Sequence, residues 1–294
     1  MSFTFAPWRL IKQNNLFDLA HFVDLAFKED IGSGDHSSRS CFSSEDTAEA
    51  IMIAKEAGVI AGLEVAKVVF AHHDPNLKVA CFRNDGDEVS VGDQVLSVSG
   101  STISILTTER LVLNIMQRMS GVATTTRKYV DEIKGTRSKV LDTRKTTPLM
   151  RWFEKQAVKI GGGENHRFGL YDMIMIKDNH VDGAGGIKNA VVATKQYQQA
   201  NGLDLKVELE VRSIDELEEA LTCDDIDRVM LDNFSPADTK EAVDLVQGRI
   251  ELESSGGITL DTIRSYAETG VDYISVGALT HSVKSLDLSL KIKK

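Results

Sequence analysis

The stretch that decides the fold runs from residue 206 to residue 277 and reads KVELEVRSIDELEEALTCDDIDRVMLDNFSPADTKEAVDLVQGRIELESSGGITLDTIRSYAETGVDYISVG. Strand-like segments begin in it at residues 206, 228, 250 and 272, so their starts are 22 residues apart. This spacing suits a strand, a turn and a crossover helix. Continuous apolar runs such as VML (229–231) are typical of strands that are covered on both faces. The stretch therefore predicts βα repeats that build a parallel sheet.

Two earlier segments, 139–141 and 173–176, have the same character and bring the predicted strand count to six. Each strand is followed by polar residues, and in a closed parallel barrel the carboxyl ends of all strands meet at one mouth. We therefore expect the active site there. A doubly wound sheet is the alternative, but no GxGxxG follows the first strand. The polar strand ends are 142–145, 177–180, Glu210, 232–233, 253–257 and 275–277.

The sequence pattern changes near Thr108. Before it, short alternating runs at 50–54 and 77–82 predict antiparallel strands behind an initial helix at 16–28. From Thr108 to about residue 134, apolar residues recur at the spacing that lines one face of a helix. The first part of the chain is therefore expected to form a small α+β domain.

The composition bounds the class of protein. A chain that is 42% hydrophobic and 27% charged is typical of a globular protein. The net charge of −10 argues against general binding of nucleic acid or anionic membranes, because both require a cationic surface. The three cysteines form no CxxC pair, and no apolar stretch has the length of a membrane span or a signal peptide. We expect a cytoplasmic protein without disulfides or a zinc site.

The densest cationic segment lies in the middle of this acidic chain and contains Arg144, Lys145, His166, Arg167 and Lys177. Arginine suits bidentate binding of carboxylates, whereas lysine is a compact charge that suits phosphate oxygens. The segment therefore predicts one site for a polyanionic substrate that carries both groups. A solvated, salt-bridged surface is the alternative interpretation.

Two glycine turns follow the last two predicted strands, SSGG at 254–257 and SVGALTH at 275–281. Backbone amides that glycine frees at the last strand ends form the usual phosphate site of βα barrels. Glu210 and Asp232, on consecutive strand ends, could hold magnesium and ribose hydroxyls, although a structural ion pair would also explain them. Glu208 lies on the same face as Glu210, and periodicity alone does not choose between the two glutamates.

Seven strings taken together resemble the quinolinate phosphoribosyltransferase family, and the match runs in order from about Asp30 to Leu290. The most specific part is the series DTRKTTP, NHR with LYD, and IKDNH. EDIGSGDHSS (29–38) also resembles the amino-terminal signature of the family. The strings are TERLVLNIMQRMSGVAT (108–124), LDTRKTTP (141–148), GGGENHRFGLYDMIMIKDNH (161–180), VELEV (207–211), VMLDNFSP (229–236), LESSGGI (252–258) and YISVGALTHS (273–282).

The resemblance implies an α/β fold, with an α+β open-sandwich domain at residues 1–112 that is completed by 282–294. An incomplete seven-stranded α/β barrel at 113–281 would be the catalytic domain. The implied enzyme is a glycosyltransferase that joins quinolinate to phosphoribosyl pyrophosphate and releases CO2 and pyrophosphate in NAD biosynthesis. It also implies a magnesium cofactor and a homodimer in which Arg110 enters the partner's site, and it leaves a higher oligomer open.

The resemblance further implies a role for each matching site residue. Arg144, His166 and Arg167 would hold the two carboxylates of quinolinate, and Lys145 and Lys177 would bind pyrophosphate and carboxylate oxygens. Glu210 and Asp232 would lie near magnesium and the ribose. The terminal phosphate would be bound by Ser255, Gly256, Gly277 and His281.

Two positions depart from the family pattern. The position after Pro148, where the family commonly has glycine, is Leu149, so this loop is expected to be stiffer or differently turned. Glu164 stands where an apolar or small residue is common. A carboxylate that faced a dianionic substrate would weaken its binding, so we expect Glu164 to point away from the site.

Three other functions remain open from the sequence. A phosphoribosyltransferase of the same fold could act on another pyridine acid, as the molybdenum-associated paralogues do. An aldolase-like barrel could use Lys145 or Lys177 to form a Schiff base, which requires a neutral, desolvated amine. A binding protein without catalysis is the third, and the combination of carboxylate, phosphate and metal groups disfavours it.

Overall fold

The computed structural model describes residues 17–293 of the 294-residue chain. They divide into two compact units. The first unit contains the described residues up to Thr124 together with 152–161 and those from Val283 onward, and the second contains 125–151 and 162–282. The sequence placed the boundary near residue 112 and did not assign 152–161 to the first unit.

The helices are α1 (Leu19–Ile31), α2 (His36–Cys41), α3 (Leu63–His73), α4 (Thr102–Glu132), α5 (Arg151–Ile160), α6 (Asp178–Ala184), α7 (Ile187–Asn201), α8 (Ile214–Ala220), α9 (Pro236–Val246), α10 (Ile263–Ala267) and α11 (Ala278–His281). The strands are β1 (Thr47–Ala54), β2 (Gly58–Val59), β3 (Lys78–Cys81), β4 (Glu88–Val89), β5 (Gln94–Ser101), β6 (Lys139–Leu141), β7 (Ile174–Ile176), β8 (Val207–Val211), β9 (Arg228–Asp232), β10 (Glu251–Ser255), β11 (Tyr273–Ser275) and β12 (Leu288–Ile292).

The first unit is built on an antiparallel sheet with the strand order β12-β1-β5-β3. The predicted strands at 50–54 and 77–82 are confirmed as parts of β1 and β3. The last strand of the chain, β12, lies beside β1, with Ala54 opposite Leu288. The carboxyl-terminal residues thus complete the sheet of the amino-terminal unit. A two-stranded sheet of β2 and β4 is separate from it.

The second unit contains six parallel strands in the order β6-β11-β10-β9-β8-β7. The six strands predicted from the sequence are all present. The resemblance implied seven strands, and the seventh position is represented by Glu164, which makes a one-residue parallel bridge to Leu141 of β6. Among the described residues, no ladder joins this bridge to β7, so the barrel is incomplete.

Serine caps set the starting points of two crossover helices close behind their strands. The Ser213 side chain accepts a hydrogen bond from the backbone N–H of Glu216 and begins α8. Ser235 does the same for Asp238 and begins α9, with Pro236 as the first helical residue. These caps keep the loops that follow β8 and β9 short, which holds the strand-end residues in place.

Candidate active site

The site is built at the carboxyl ends of the barrel strands, and its first feature is a pair of neighbouring arginines. Asp142, fully buried at the end of β6, accepts the backbone N–H of His166 at 2.8 Å from its Oδ1. Arg167 follows, and its Nη1 donates to the carbonyl of Met173 at 3.2 Å. Burial lowers the pKa of Arg167, and the nearby charge of Arg144 lowers it further. Two guanidinium groups therefore lie close enough to repel each other.

Arg144 adds a second indication of an anion site. Within the part of the chain that the structure describes, its Nε is buried without a hydrogen-bond partner. A buried donor without an acceptor is costly, typically by about 1–3 kcal/mol. Two adjacent cations, one with a buried donor that lacks an acceptor, form a site suited to a substrate carboxylate.

The imidazole of His166 is buried, and both of its nitrogens face protein groups. The backbone N–H of Arg167 donates to Nδ1 at 2.7 Å. Nε2 lies 2.8 Å from Oε2 of Glu208 and 3.5 Å from Oε2 of Glu253. The expectation that this ring itself holds a substrate carboxylate stays a prediction, and in the structure both ring nitrogens lie within 3.5 Å of protein groups.

Glu208 and Glu253 form a buried acidic pair beneath the strand ends. Both side chains are fully buried, and burial raises the pKa of each carboxyl to about 7. The charge of Arg228, whose Nη1 lies 3.0 Å from Glu253, acts in the opposite direction. With His166, the two carboxylates also form a group that could hold a metal ion. Glu253, predicted as part of a polar strand end, thus lies in the interior.

Lys177 and Glu210 form the second charged pair of the site. Nζ of Lys177 lies 2.9 Å from Oε2 of Glu210, which is almost buried. Asp232, at the end of the neighbouring strand β9, has its pKa raised by burial and then by the charge of Glu210. The structure thus distinguishes two glutamates that periodicity could not: Glu210 pairs with Lys177, whereas Glu208 faces His166.

The two predicted glycine turns lie beside other predicted site residues. A side chain at Gly277 would come within 3.1 Å of Lys145 and within 2.9 Å of His281, so the three residues are neighbours. The hydroxyl of Thr280 donates to the carbonyl of Lys145 at 2.9 Å, which fixes this loop. Backbone this close to a lysine and a histidine is suited to binding a phosphate group.

Gly256 occupies a position that a larger residue would disrupt. Its φ is +99°, and an added Cβ would collide with the Asn233 side chain and come within 2.9 Å of the Asn233 backbone nitrogen. We expect Gly256→Ala to lower the free energy of unfolding by about 2–4 kcal/mol, because left-handed strain adds to overpacking. Urea denaturation would measure the change.

The adjacent glycine is the matched control for that substitution. Gly257 has a φ of +62°, but an added Cβ would meet nothing within 4 Å. Gly257→Ala carries the backbone strain alone and should lose only about 1 kcal/mol. Equal losses of unfolding free energy in the two variants would show that the contact with Asn233 does not contribute to the destabilisation.

The two departures from the family pattern are both explained by the structure. Glu164 is exposed, and its Oε1 lies 2.8 Å from Nζ of Lys139 at the start of β6. It therefore points away from the strand ends, as expected. Leu149 is 81% exposed and adopts a φ of +64°, a left-handed conformation that favours glycine. The loop after Pro148 thus keeps a glycine-like turn with a strained residue in it.

Replacing Leu149 by glycine should stabilise the protein. The left-handed conformation destabilises the folded state by about 1–2 kcal/mol when a branched residue adopts it. Glycine removes this strain, but its greater freedom in the unfolded chain cancels about half of the gain. We expect a gain of about 0.5–1 kcal/mol in urea denaturation. Leu170 is 70% exposed and is not among the residues with positive φ, so Leu170→Gly is the control and should bring no gain.

The structure brings most of the predicted site residues to one end of the second unit, and it adds a buried part that the sequence did not predict. His281 is the last residue of α11. The other predicted residues lie at the strand ends of the second unit or in the segments that follow them: Arg144, Lys145, Arg167, Lys177, Glu210, Asp232, Ser255, Gly256 and Gly277. Arg110 is exposed on α4 within the first unit. Arg228 was not predicted as a site residue. The sequence feature that could have indicated it is a charged residue at the start of an apolar strand.

This arrangement defines a class of enzyme. A parallel α/β barrel with paired arginines, a lysine–carboxylate pair and glycine turns at its strand ends is suited to a phosphorylated, carboxylate-bearing substrate. Residues 122–291 match the family described as quinolinate phosphoribosyl transferase, C-terminal domain, and residues 35–120 match the corresponding N-terminal domain. The chain belongs to the quinolinate phosphoribosyltransferase family.

Individual relatives cover nearly the whole chain. Quinolinate phosphoribosyltransferase [decarboxylating] 2b, mitochondrial, of Nicotiana tabacum is 46% identical over 94% of this chain and 82% of its own length. The probable nicotinate-nucleotide pyrophosphorylase [carboxylating] of Bacillus subtilis is 42% identical over 95% of this chain and 94% of its own length. The crystal structure of NadC from Streptococcus pyogenes is 42% identical, with a TM-score of 0.87 over 93% of this chain and 96% of that one.

Within residues 17–293, no helix is both long and apolar enough to span a bilayer.

Proposed function

We propose that this protein transfers the phosphoribosyl group of phosphoribosyl pyrophosphate to quinolinate and yields nicotinate mononucleotide, CO2 and pyrophosphate. The observation that carries the proposal is the arginine pair: Arg144, with a buried donor that lacks an acceptor, lies next to Arg167 in an otherwise acidic chain. A pyridine diacid supplies two carboxylates to two guanidinium groups, which relieves their repulsion. The names of the relatives support the same reaction.

The remaining site residues take roles that fit their surroundings. Lys145 and Lys177 would bind the pyrophosphate and stabilise its charge as the bond to the sugar breaks. Glu210 and Asp232 would contact ribose hydroxyls and stabilise positive charge at the anomeric carbon. The terminal phosphate would lie at the two glycine turns, which contain Ser255, Gly256, Gly277 and His281.

A magnesium ion fits the chemistry of the acidic pair. The carboxylates of Glu210 and Asp232 are near enough for the charge of one to raise the pKa of the other, and hard divalent ions prefer such oxygen ligands. When bound, magnesium would neutralise pyrophosphate oxygens. We expect product formation to stop when divalent ions are chelated and to return when magnesium is added.

The steps of the reaction need positioning more than strong acid or base catalysis. The arginine pair would hold quinolinate so that its ring nitrogen attacks the anomeric carbon while pyrophosphate leaves. The ring nitrogen is then quaternary and positive. The carboxylate next to it leaves as CO2, its bonding electron pair stays on the ring carbon, and that carbon takes up a proton. No covalent enzyme intermediate is required.

Product analysis distinguishes this function from its alternatives. Purified protein is incubated with phosphoribosyl pyrophosphate, magnesium and either quinolinate or nicotinate, and CO2 and nicotinate mononucleotide are measured. Activity confined to nicotinate would refute the proposal in favour of a paralogue that acts on another pyridine acid. The Lys177–Glu210 ion pair disfavours a Schiff base, because that chemistry requires a neutral amine. Trapping of a lysine adduct by borohydride would contradict us.

The proposal includes a homodimer in which Arg110 completes the partner's site. Its support is the family resemblance together with the exposure of Arg110, which lies in the third turn of α4 and within the first unit. Arg110→Ala and Lys177→Ala should each be inactive alone. After subunit exchange the mixture should regain about a quarter of wild-type activity, since half of the dimers are mixed and each has one intact site. No recovery from exchanged dimers would rule out the shared site.

A cytoplasmic location is the last part of the proposal. It is supported by the composition, which is typical of a globular protein, while the Nicotiana tabacum relative is named mitochondrial. Fractionation of cells that express the tagged protein would test it.

A further inference from the structure

The buried ring of His166 links the substrate site to an acidic pair below it. On one side the ring accepts the backbone N–H of Arg167, with 2.7 Å between the amide nitrogen and Nδ1. On the other side Nε2 lies 2.8 Å from Glu208. His166, which accepts the hydrogen bond from the backbone of Arg167, is thus itself in contact with Glu208 below the strand ends.

The direction of these contacts determines the tautomer of the ring. A backbone N–H can only donate, so Nδ1 must be unprotonated to accept from Arg167. The ring proton then lies on Nε2, which faces the carboxylate of Glu208. A carboxylate next to one ring nitrogen is the usual means by which proteins select one tautomer and one ring orientation.

Glu208 is in turn held by a buried charge network. Its neighbour Glu253 contacts Arg228 at 3.0 Å, and the guanidinium of Arg228 also stacks over the ring of Tyr273 at 3.9 Å. Glu251, which is partly exposed, contacts the same guanidinium at 3.2 Å. The network is anchored to strands β8 to β11, so it is a rigid support.

We infer that Glu208 is a positioning residue for the pyridine diacid: it orients His166, and His166 holds the backbone of Arg167 so that its guanidinium faces a carboxylate. This inference rests on the proposed function and deepens it. Glu208 does not touch the substrate in this scheme. Its removal should therefore weaken the binding of quinolinate, whereas the binding of phosphoribosyl pyrophosphate should change little.

Two substitutions at one position test the inference. Glu208→Leu removes the carboxylate that lies 2.8 Å from Nε2, and we expect KM for quinolinate to rise by about 10- to 100-fold while KM for phosphoribosyl pyrophosphate stays within about 2-fold. Glu208→Gln keeps a carbonyl oxygen that can accept from Nε2, so it should recover most of the affinity. Glu268→Gln is the control, because it changes an exposed carboxylate of the same unit that pairs with Arg264, and it should leave both constants unchanged.

The glutamine variant keeps the test decisive if the leucine variant does not fold. The Glu208→Gln variant supports the inference if it has wild-type stability and wild-type KM. The ring of His166 must also have the same tautomer as in the wild type, which ¹⁵N spectra of labelled histidine show. Equal changes in both KM values would show a merely structural role and overturn it. So would a wild-type spectrum in which Nδ1 carries the proton, or a stoichiometric metal ion that is lost from both variants.

Failure of this inference can be told apart from failure of the proposed function. If the wild-type protein releases no CO2 from quinolinate, the proposed function is wrong. The histidine spectra are recorded on ligand-free protein, and they still report whether Glu208 selects the tautomer of His166. If CO2 is released and the tautomer or the KM pattern differs from that expected, only the positioning role is wrong.

Discussion

Replacing Arg167 by alanine is expected to lower kcat/KM for quinolinate by about 10²- to 10⁴-fold, since removing one member of a buried, charge-assisted pair costs about 3–5 kcal/mol. Arg167 is 9% exposed, so water could not take over the hydrogen bonds that we propose it makes to the substrate. Most of the loss should be in KM, because in the proposed role the guanidinium would bind a carboxylate in both the ground state and the transition state. Steady-state kinetics with quinolinate varied at saturating phosphoribosyl pyrophosphate measure it.

Two further variants make this result specific. Arg167→Lys keeps the charge but loses the planar fork, and it should recover only part of the affinity. Arg212→Ala removes an exposed arginine of the same unit that pairs with Asp182 and Glu216, and it should leave the kinetics unchanged. If Arg212→Ala were as damaging as Arg167→Ala, general loss of charge would explain both, and the assigned carboxylate site would be wrong.

Lys177→Ala is expected to have the second large effect, a fall in kcat of about 10²- to 10³-fold, which is the usual result of removing one group that stabilises charge in a transition state. The lysine would stabilise the departing pyrophosphate, and its loss also leaves Glu210 without its cation. The measurement is kcat at saturation with both substrates.

A double-mutant cycle separates the two consequences. Glu210→Gln should be damaging alone, and the double variant should be less damaging than the product of the single effects, because the two side chains are in contact at 2.9 Å. Lys240→Ala on the exposed face of α9 is the control and should be neutral. Strictly multiplicative effects would mean that the ion pair has no part in catalysis.

The sequence predicted the strands well because their signal is local. Apolar runs such as 229–231, bounded by polar ends, need no knowledge of their neighbours, and all six predicted strands are present. The seventh position could not be found, because a single bridging residue such as Glu164 has no periodicity. The sequence did not assign α5 to the first unit. Its Trp152 stacks on Phe17 with 4.9 Å between the ring centroids, and local sequence patterns do not report such a tertiary contact.

The exposed part of the site was easier to predict than the buried part. Charged residues at strand ends, such as Arg144 and Lys177, stand out in an acidic chain. The depth of a residue along a strand, however, depends on the register with neighbouring strands. Glu208 and Glu210 share a face, and only the pairing of β8 with β9 places one below the other.

The pairing of β1 with β12 has a consequence for how the chain acquires its structure. A ribosome delivers β1 early and β12 only after the entire second unit has been synthesised. The edge of β1 therefore stays unpaired until β12 has been synthesised, while the barrel already folds. Long-range strand pairing of this kind is slow and exposes unpaired edges to other chains. We expect chaperone dependence during expression to arise from the first unit.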